Sequence, residues 1–391
     1  MKRILFVFHD SSVSGGSLCL FNLLKAIDRS AFEPFVLVAK DGPLCREIAG
    51  LGISVELMPE LTIYPINRSL FAPGSVKSIL RIRKSTGRFG EVLKKTRPDI
   101  VYLNTMMLFP YLRTAKEAGC KTIIHIREHW AEGEHAAQFK RIRKAVHEYA
   151  DRVVAINSYS ASMFPGEHAT VIYDWVDMES RRGGPSLQDL IGDCSGLKVY
   201  LYLGGMRNIK GPAEVLKTFS EHIKGGDRRL LALGLSPEMD WNGIKGKVKR
   251  VLSPFGIRTY KEKTVRLCRK DPRIICAPQV FKITGLMEQI AGYVSFFKTP
   301  HANLTMAESI IMHLPSVAAN TEEALEYSDG GKLSLLYEFN NLEDFRDKWL
   351  ALDRDEGAIK KRLAEGSGVI AEMFNPQRNI DTFNKVLNSF N

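Results

Sequence analysis

Two cations on a glycine turn, Arg207 and Lys210, are the residues of this chain most suited to chemistry. They lie in Tyr202-Leu-Gly-Gly-Met-Arg-Asn-Ile-Lys-Gly-Pro-Ala-Glu-Val-Leu-Lys217. The run predicts a buried strand, a glycine turn and then an amphipathic helix. Glycines let a backbone come close to a ligand, and the N–H groups at a helix start suit an anion. Arg207 and Lys210 add mobile positive charge at the same place. The unit either holds phosphate or is a basic turn with two solvated cations. It is not a P-loop, because the order G-x-x-x-x-G-K-[ST] is absent.

Other candidates are spread along the chain. Gly15-Gly16 follow the first strand-like run and open a helix. In Ile123-Ile-His-Ile-Arg-Glu-His129 a strand ends at His125, which makes His125, Arg127 and Glu128 candidates, because strand ends of a parallel sheet point toward ligands. The alternative is a structural histidine beside a surface Arg–Glu pair. A metal site at His125 and His129 is not expected, since no helix aligns them. In Thr299-Pro-His-Ala-Asn-Leu-Thr-Met-Ala-Glu308 a helix starting near Asn303 or Leu304 would aim N–H groups at a ligand, with Thr305 and Glu308 in its first turns. Thr305-x-x-Glu308 also matches a capping box, which needs no ligand. G-x-G-x-x-G is absent, which argues against a dehydrogenase, and no G-x-S-x-G, catalytic Cys–His signature or acidic metal motif stands out. The chemistry is then electrostatic and positional rather than covalent.

These residues need a scaffold, and the pattern supplies one. Strand-like runs at 4–8, 35–39, 54–57, 100–103, 122–126 and 152–156 alternate with helical runs at 18–27, 44–51, 76–95, 110–118 and 137–150. A second series has strands at 199–203, 230–234, 273–277, 293–297, 316–319 and 333–337, a helix at 304–312, and a mainly helical end. Such alternation implies doubly wound, mostly parallel sheets. A chain of 391 residues exceeds the usual single core, so two α/β domains are expected, joined by a linker within 174–198 that contains Arg181-Arg-Gly-Gly-Pro. The expected site is the cleft between them.

Composition narrows the function. Six cysteines, at 19, 45, 120, 194, 268 and 276, form no C-x-x-C pair and suit free thiols in a reducing cytosol. No apolar run is long enough to span a bilayer. The net charge of +11 favours polyanionic partners. Part of it is concentrated in Lys77, Arg81, Arg83, Lys84, Arg88, Lys94, Lys95 and Arg97, part in Lys140, Arg141, Arg143 and Lys144, and part in Lys245, Lys247, Lys249 and Arg250. Apolar residues interleave with the first cluster, which suits either a solvated helix face or a surface resting on anionic lipid. The clusters lack aromatic stacking platforms and any reader motif, so nucleic acid is not expected.

Taken in order, the motifs resemble a GT-B glycosyltransferase of the large retaining family 4, over nearly the whole chain. Ser14-Gly-Gly16 with its helix looks like that family's N-terminal glycine loop. Asp41-Gly-Pro-Leu44 followed by Leu51-Gly-Ile53 looks like its second strand–helix unit. Arg97-Pro-Asp-Ile-Val-Tyr-Leu-Asn-Thr105 and His125-Ile-Arg-Glu128 are similar to bacterial polysaccharide and lipopolysaccharide members, and Val171-Ile-Tyr-Asp-Trp-Val-Asp177 resembles the interdomain strand. Leu203-Gly-Gly-x-x-x-x-Lys210-Gly211 resembles the donor diphosphate loop, and Glu308, seven residues before Pro315, the ribose carboxylate.

The resemblance implies two Rossmann-like domains facing a central cleft. The first, an acceptor domain, would span 1–178 with the helix 376–391 crossing back to it. The second, for the nucleotide sugar, would span 190–375. The resemblance also implies roles. Gly15 and Gly16 would approach the donor, and His125 the donor sugar near its reacting carbon. Lys210 and Arg207 would neutralise the diphosphate, and Asn303, Leu304, Thr305 and Glu308 would form the nucleotide end. Val280 would present backbone to the base. The implied enzyme is a metal-independent hexosyltransferase that needs no cofactor beyond its nucleoside-diphosphate-sugar donor. Its acceptor would be a glycan or lipid-linked. Its place would be cytoplasmic, peripheral on the inner face of an anionic membrane. There are departures: Pro300 replaces the first glutamate, Gly205 falls where the diphosphate arginine is usual, and Asp174-Trp175 replace Asn-Gly. They keep open a degenerate GT-B protein that binds a glycan or partner, and a GT-B nucleotide-sugar epimerase.

Overall fold

The computed structural model describes residues 1–12, 15–65, 73–130, 136–166, 169–175, 177–178, 182–236, 238, 259–280 and 282–390. Ser14, Val176, Arg181 and the basic cluster at 245–250 lie outside the described residues. The chain forms two compact units, Met1–Trp175 with Phe374–Asn391, and Val176–Met373.

In the first unit, β1 (Lys2–Phe8), β2 (Phe32–Val38), β3 (Ser54–Leu57), β4 (Ile100–Leu103), β5 (Lys121–Ile126), β6 (Arg152–Ala155) and β7 (Thr170–Val171) make one sheet in the order β3-β2-β1-β4-β5-β6-β7. Every pairing is parallel. The apolar run Ile4-Leu-Phe-Val-Phe8 is continuous because helices cover both faces, and alternate residues enter different cores. Leu5 and Val7 join Leu103, Ile124 and Phe89, while Ile4, Phe6 and Phe8 join Tyr102, Leu20 and Leu24.

The helix Pro376–Asn388 belongs to the second of these cores. Asn375 caps it by accepting from the Arg378 N–H (3.1 Å), Pro376 needs no hydrogen bond at that position, and Phe383, Val386 and Leu387 fall on one face. Phe383 packs on Tyr102 with ring centres 6.0 Å apart, and its full burial is worth about 1.5–3 kcal/mol. Cutting the chain before Asn375 would uncover this core.

The second unit has β8 (Lys198–Tyr202), β9 (Arg228–Leu233), β10 (Ile274–Ala277), β11 (Gly292–Val294), β12 (Ser316–Ala319) and β13 (Leu335–Tyr337) in the order β10-β9-β8-β11-β12-β13, again all parallel. Trp349, fully buried, is surrounded by Tyr200, Phe219 and Phe345 at 5.5, 5.8 and 5.6 Å. The strand order reverses between β1 and β4 in one sheet and between β8 and β11 in the other. Parallel sheets of this kind bind ligands beside such reversals, at the carboxyl ends of the strands.

Two local expectations differ from the structure. The helix expected over 110–118 begins as a 3-10 turn, Met106–Tyr111, and becomes α-helical only over Leu112–Glu117. Pro110 brings no N–H, and the Thr105 side chain accepts from the Met107 N–H (3.1 Å) to start the chain in the tighter form. The strand expected over 293–297 stops at Val294, and the Phe297 N–H donates to the Tyr337 hydroxyl (3.1 Å) instead. Among the described residues no helix is long and apolar enough to cross a membrane.

Candidate functional site

In the first unit, candidates meet at the carboxyl ends of β1, β4 and β5. The helix Gly15–Ala26 starts there. A Cβ on Gly16 would lie 3.5 Å from the Phe8 ring and 4.0 Å from Arg127 Nε, while Gly15 faces open space. His125 sits on β5, only 1 % exposed, with Nδ1 2.7 Å from the Tyr102 hydroxyl and 3.4 Å from Arg127 Nη1. Burial holds the Tyr102 phenol protonated, and a guanidinium can only donate, so Nδ1 is the acceptor and Nε2 carries the proton. Burial, then the Arg127 charge, push the imidazole well below its ordinary range, so the ring is neutral. Its buried Nε2–H has no partner among the described residues.

The surface Arg127–Glu128 pair considered from sequence does not form. Arg127 is buried and donates through Nη2 to Asp174, which arrives 47 residues later in the chain. Burial opposes the Arg127 charge, yet Asp174 and the other groups around it outweigh that and raise its pKa. Glu128 turns the other way, accepting from the Thr105 hydroxyl, the Met106 N–H (3.0 Å) and the Arg127 N–H (3.1 Å). Burial raises its carboxyl and these donors oppose the rise. It braces the 3-10 turn after β4. His129 stacks on Tyr159 at 4.5 Å, apart from the role of His125. No His, Cys, Asp and Glu group suited to a metal ion forms among the described residues.

In the second unit the glycine turn follows β8. Gly205 is left-handed (φ 60°), so the side chain that the resemblance would place there is strained at this backbone. Gly211 is also left-handed (φ 58°), and a Cβ there would meet the Phe296 carbonyl oxygen at 2.3 Å. Asn208–Lys210 form a 3-10 turn, and the helix Pro212–His222 follows with no side-chain cap. The Tyr202 hydroxyl lies 3.1 Å from the Gly205 carbonyl and 3.0 Å from that of Lys210, pinning both ends of the loop.

Lys298 donates to Asn208 Oδ1 (3.0 Å) and pairs with Glu214. The Tyr260 hydroxyl donates to Glu214 (2.6 Å) and accepts from the Ala213 N–H (3.1 Å), which takes one of the free donors of the helix start. Sequence reasoning missed Tyr202, Tyr260 and Lys298. Only the meeting of β8, β11 and the helix Tyr260–Lys270 gives them a role.

Lys210 is half-buried, with Nζ 4.1 Å from the centre of the Phe297 ring. Burial first, then Arg207, pull its pKa down to about 7. Neither Lys210 nor the exposed Arg207 has a carboxylate partner among the described residues.

The helix Leu304–Ile311 is capped by Asn303, not by a Thr305–Glu308 box. Asn303 Oδ1 accepts from the Met306 N–H (3.3 Å) and the Tyr293 hydroxyl (3.2 Å), and its Nδ2 donates to Ser295 (3.1 Å). The Asn303 amide is thus committed to holding the helix start against β11. Leu304 and Thr305 are half-buried, and Glu308 is 2 % exposed. Val280 is half-buried in the segment after β10, next to Gln279, which abuts Gly234.

Residues 14–164 match the glycosyl transferase 4-like domain family. No curated protein matches the chain by sequence. Among solved structures, Anabaena Alr3699/HepE in complex with UDP-glucose is similar over 100 % of both chains, with a TM-score of 0.73 at 17 % identity. The lipopolysaccharide outer core galactosyltransferase WaaB is similar over 97 % of this chain and 99 % of its own, TM-score 0.56, 15 % identity. A putative UDP-N-acetylglucosamine 2-epimerase from Listeria monocytogenes is similar over 98 % and 94 %, TM-score 0.61, 13 % identity. At such identities the likeness establishes the fold, which is GT-B with two Rossmann-like domains.

Proposed function

We propose that this chain, a GT-B protein of the family 4 glycosyltransferase type with a glycosyl transferase 4-like domain at residues 14–164, moves a hexose from a nucleoside-diphosphate sugar to a glycan or lipid-linked acceptor with retention at the anomeric carbon. The observation that carries the reading is Lys210. An ammonium drawn out of water over Phe297, with no carboxylate partner among the described residues, is costly unless an anion completes it. A donor diphosphate is such an anion, and its charge grows as the sugar–phosphate bond breaks. Lys210 and Arg207 take up that charge without a metal ion.

The acceptor hydroxyl attacks the anomeric carbon, the bond to the phosphate oxygen breaks, and the departing phosphate receives the hydroxyl proton. No side-chain nucleophile is needed. His125 offers Nε2–H to the donor sugar, and Gly15 and Gly16 let backbone approach it. Glu308 accepts from ribose hydroxyls, Leu304 and Thr305 present the helix start, and Val280 presents backbone to the base. The UDP-glucose bound by the Anabaena protein, together with the shared fold, supports a nucleotide sugar as partner.

The helix Pro73–Thr96 supports a peripheral membrane contact at the cytoplasmic face. It buries Ser75, Ile82, Ser85, Phe89, Val92 and Leu93, while Val76 and Leu80 stand exposed on its other side beside Lys77, Arg81 and Lys84. Each cation near an anionic surface contributes about 1 kcal/mol. Flotation with anionic vesicles should fall with salt and with glutamate at Arg81, Arg83 and Lys84. Equal flotation with neutral vesicles would contradict the contact.

A second reading, an epimerase of this fold, is favoured by the Listeria neighbour and would release free sugar with no acceptor. The deciding experiment is a thermal-shift screen against UDP, GDP, dTDP and CMP and their sugars, followed by product analysis of the best donor. A ligand at about 100 times its dissociation constant adds about 2.7 kcal/mol. No shift with any of them contradicts the proposal, and free epimerised sugar selects the second reading.

A further inference from the structure

Four polar side chains at the ends of neighbouring strands in the first unit, three buried and His9 half-buried, have buried polar atoms without a partner among the described residues. They are His9 Nδ1 after β1, Asn104 Oδ1 and Nδ2 after β4, His125 Nε2 on β5, and Asn157 Nδ2 after β6. Asn104 and Asn157 are both 0 % exposed. Asn157 uses its Oδ1 to cap the Ser160 N–H (2.7 Å), so only its amide donors are left. Asn104 uses neither end of its side chain.

Most buried polar groups in native proteins are paired, and each exception calls for a cause. Here four exceptions fall at the ends of successive strands, two of them flanking the strand-order reversal between β1 and β4. Asn104 is held in place by its backbone, which extends the ladder one residue past Leu103 by donating to the Val7 carbonyl (3.0 Å). Leu103 pairs with Ile124, so the next pair across the strands is Asn104 with His125. Alternation along β4 puts Asn104 on the face of Tyr102, where His125 also lies.

The charges nearby are already matched, Arg127 by Asp174 and Glu128 by its three donors. What is left is neutral and mixes donors with acceptors. A phosphate asks for donors only. A pair of adjacent sugar hydroxyls, each both donor and acceptor, fits an amide that offers one of each.

We infer that Asn104 is a specificity-determining contact that binds two neighbouring hydroxyls of the transferred sugar through Oδ1 and Nδ2, beside His125. This rests on the reading of His125 as a donor-sugar contact. An amide kept for structural water would also lack a protein partner, and the two roles differ in what a substitution does. Asn104→Leu, close in shape, removes an unsatisfied group from the free protein, so as a ligand contact it leaves melting unchanged or raised. As a structural group it lowers melting and affects all ligands alike.

The test uses the full chain and calorimetric titration with UDP-glucose, UDP-galactose, UDP-N-acetylglucosamine, GDP-mannose and dTDP-glucose, each beside its parent nucleotide. Asn104→Leu and Asn104→Ala are compared with His125→Ala. For the tightest pair, both Asn104 variants should weaken the nucleotide sugar about tenfold, the effect of one or two lost neutral hydrogen bonds, and leave the parent nucleotide within about twofold. Equal weakening of the two ligands, or none, overturns the inference. If only His125→Ala is selective against the nucleotide sugar, the inference falls and the reading of His125 stands. If none of the three is selective, or no nucleotide binds at all, both fall.

Discussion

At the carboxyl ends of the first sheet the charges are matched and the neutral groups are not, whereas on the turn after β8 the reverse holds. Arg127 has Asp174 and Glu128 has three donors, while His125 and Asn104 keep polar atoms unpartnered among the described residues. In the second unit Tyr202, Tyr260, Glu214 and Lys298 satisfy one another and the loop backbone, and Lys210 and Arg207 are left without a carboxylate among the described residues. Each of these two sites withholds one kind of interaction from its own fold. The first withholds neutral hydrogen bonding, which suits sugar hydroxyls, and the second withholds positive charge, which suits phosphate. Burial lowers the pKa of both His125 and Lys210, helped by Arg127 in the first case and Arg207 in the second.

The largest effect should come from the charged side. Lys210→Ala should lower kcat about 10²–10³-fold, as loss of one preorganised stabiliser does, and Lys210→Gln, which keeps bulk but not charge, should recover little. Near-normal turnover would make the loop a solvated turn and end the contrast. Next, Glu308→Gln should weaken nucleotide binding by roughly 1.5–3 kcal/mol for a lost charged hydrogen bond. A fall in melting temperature with unchanged nucleotide affinity would give Glu308 a structural role only.

The pH dependence sharpens the same point. With Lys210 at about 7 in the free protein, it is charged below that pH and must take up a proton on binding diphosphate above it. Affinity for the nucleotide sugar, whose diphosphate is esterified at both ends, should therefore be flat below pH 7 and fall by up to about tenfold per unit above it, until the pKa of the bound lysine is reached. Lys210→Gln should abolish the slope. Stability of the free protein runs the other way. The unfolded chain holds this proton up to about 10.5 and the folded one loses it near 7, so the Lys210 contribution to stability rises with pH across that window. A smaller effect is expected for Tyr202→Phe, which unpins the loop from β8. At about 0.5–1.5 kcal/mol per neutral hydrogen bond, it should weaken nucleotide binding several-fold with a modest drop in melting. Unchanged binding would show that the loop holds its form without Tyr202.

The two parallel sheets were legible because β1, β4 and β8 are short apolar runs between helical repeats, a pattern that local sequence carries. The glycine turn and Lys210 were legible for the same reason, since turn and cations lie within a few residues. What was not legible depends on distant partners. Asp174 takes Arg127 away from Glu128 only when the chain after β7 returns to the helix start at Gly15. Asn303, not Thr305, caps its helix because Ser295 and Tyr293 on the neighbouring strand segment hold its amide. Asn104 has no signal of its own within Arg97–Thr105, and its amide, unpartnered among the described residues, shows only when the strands around it are in place.

The central claim is most directly tested by titrating one nucleotide and its nucleotide sugar into Lys210→Gln and His125→Ala side by side. The account predicts that Lys210→Gln weakens both ligands by the same factor, because both carry the diphosphate, and that His125→Ala weakens only the nucleotide sugar. Loss of sugar selectivity in Lys210→Gln, or uniform loss in His125→Ala, would contradict the division of labour.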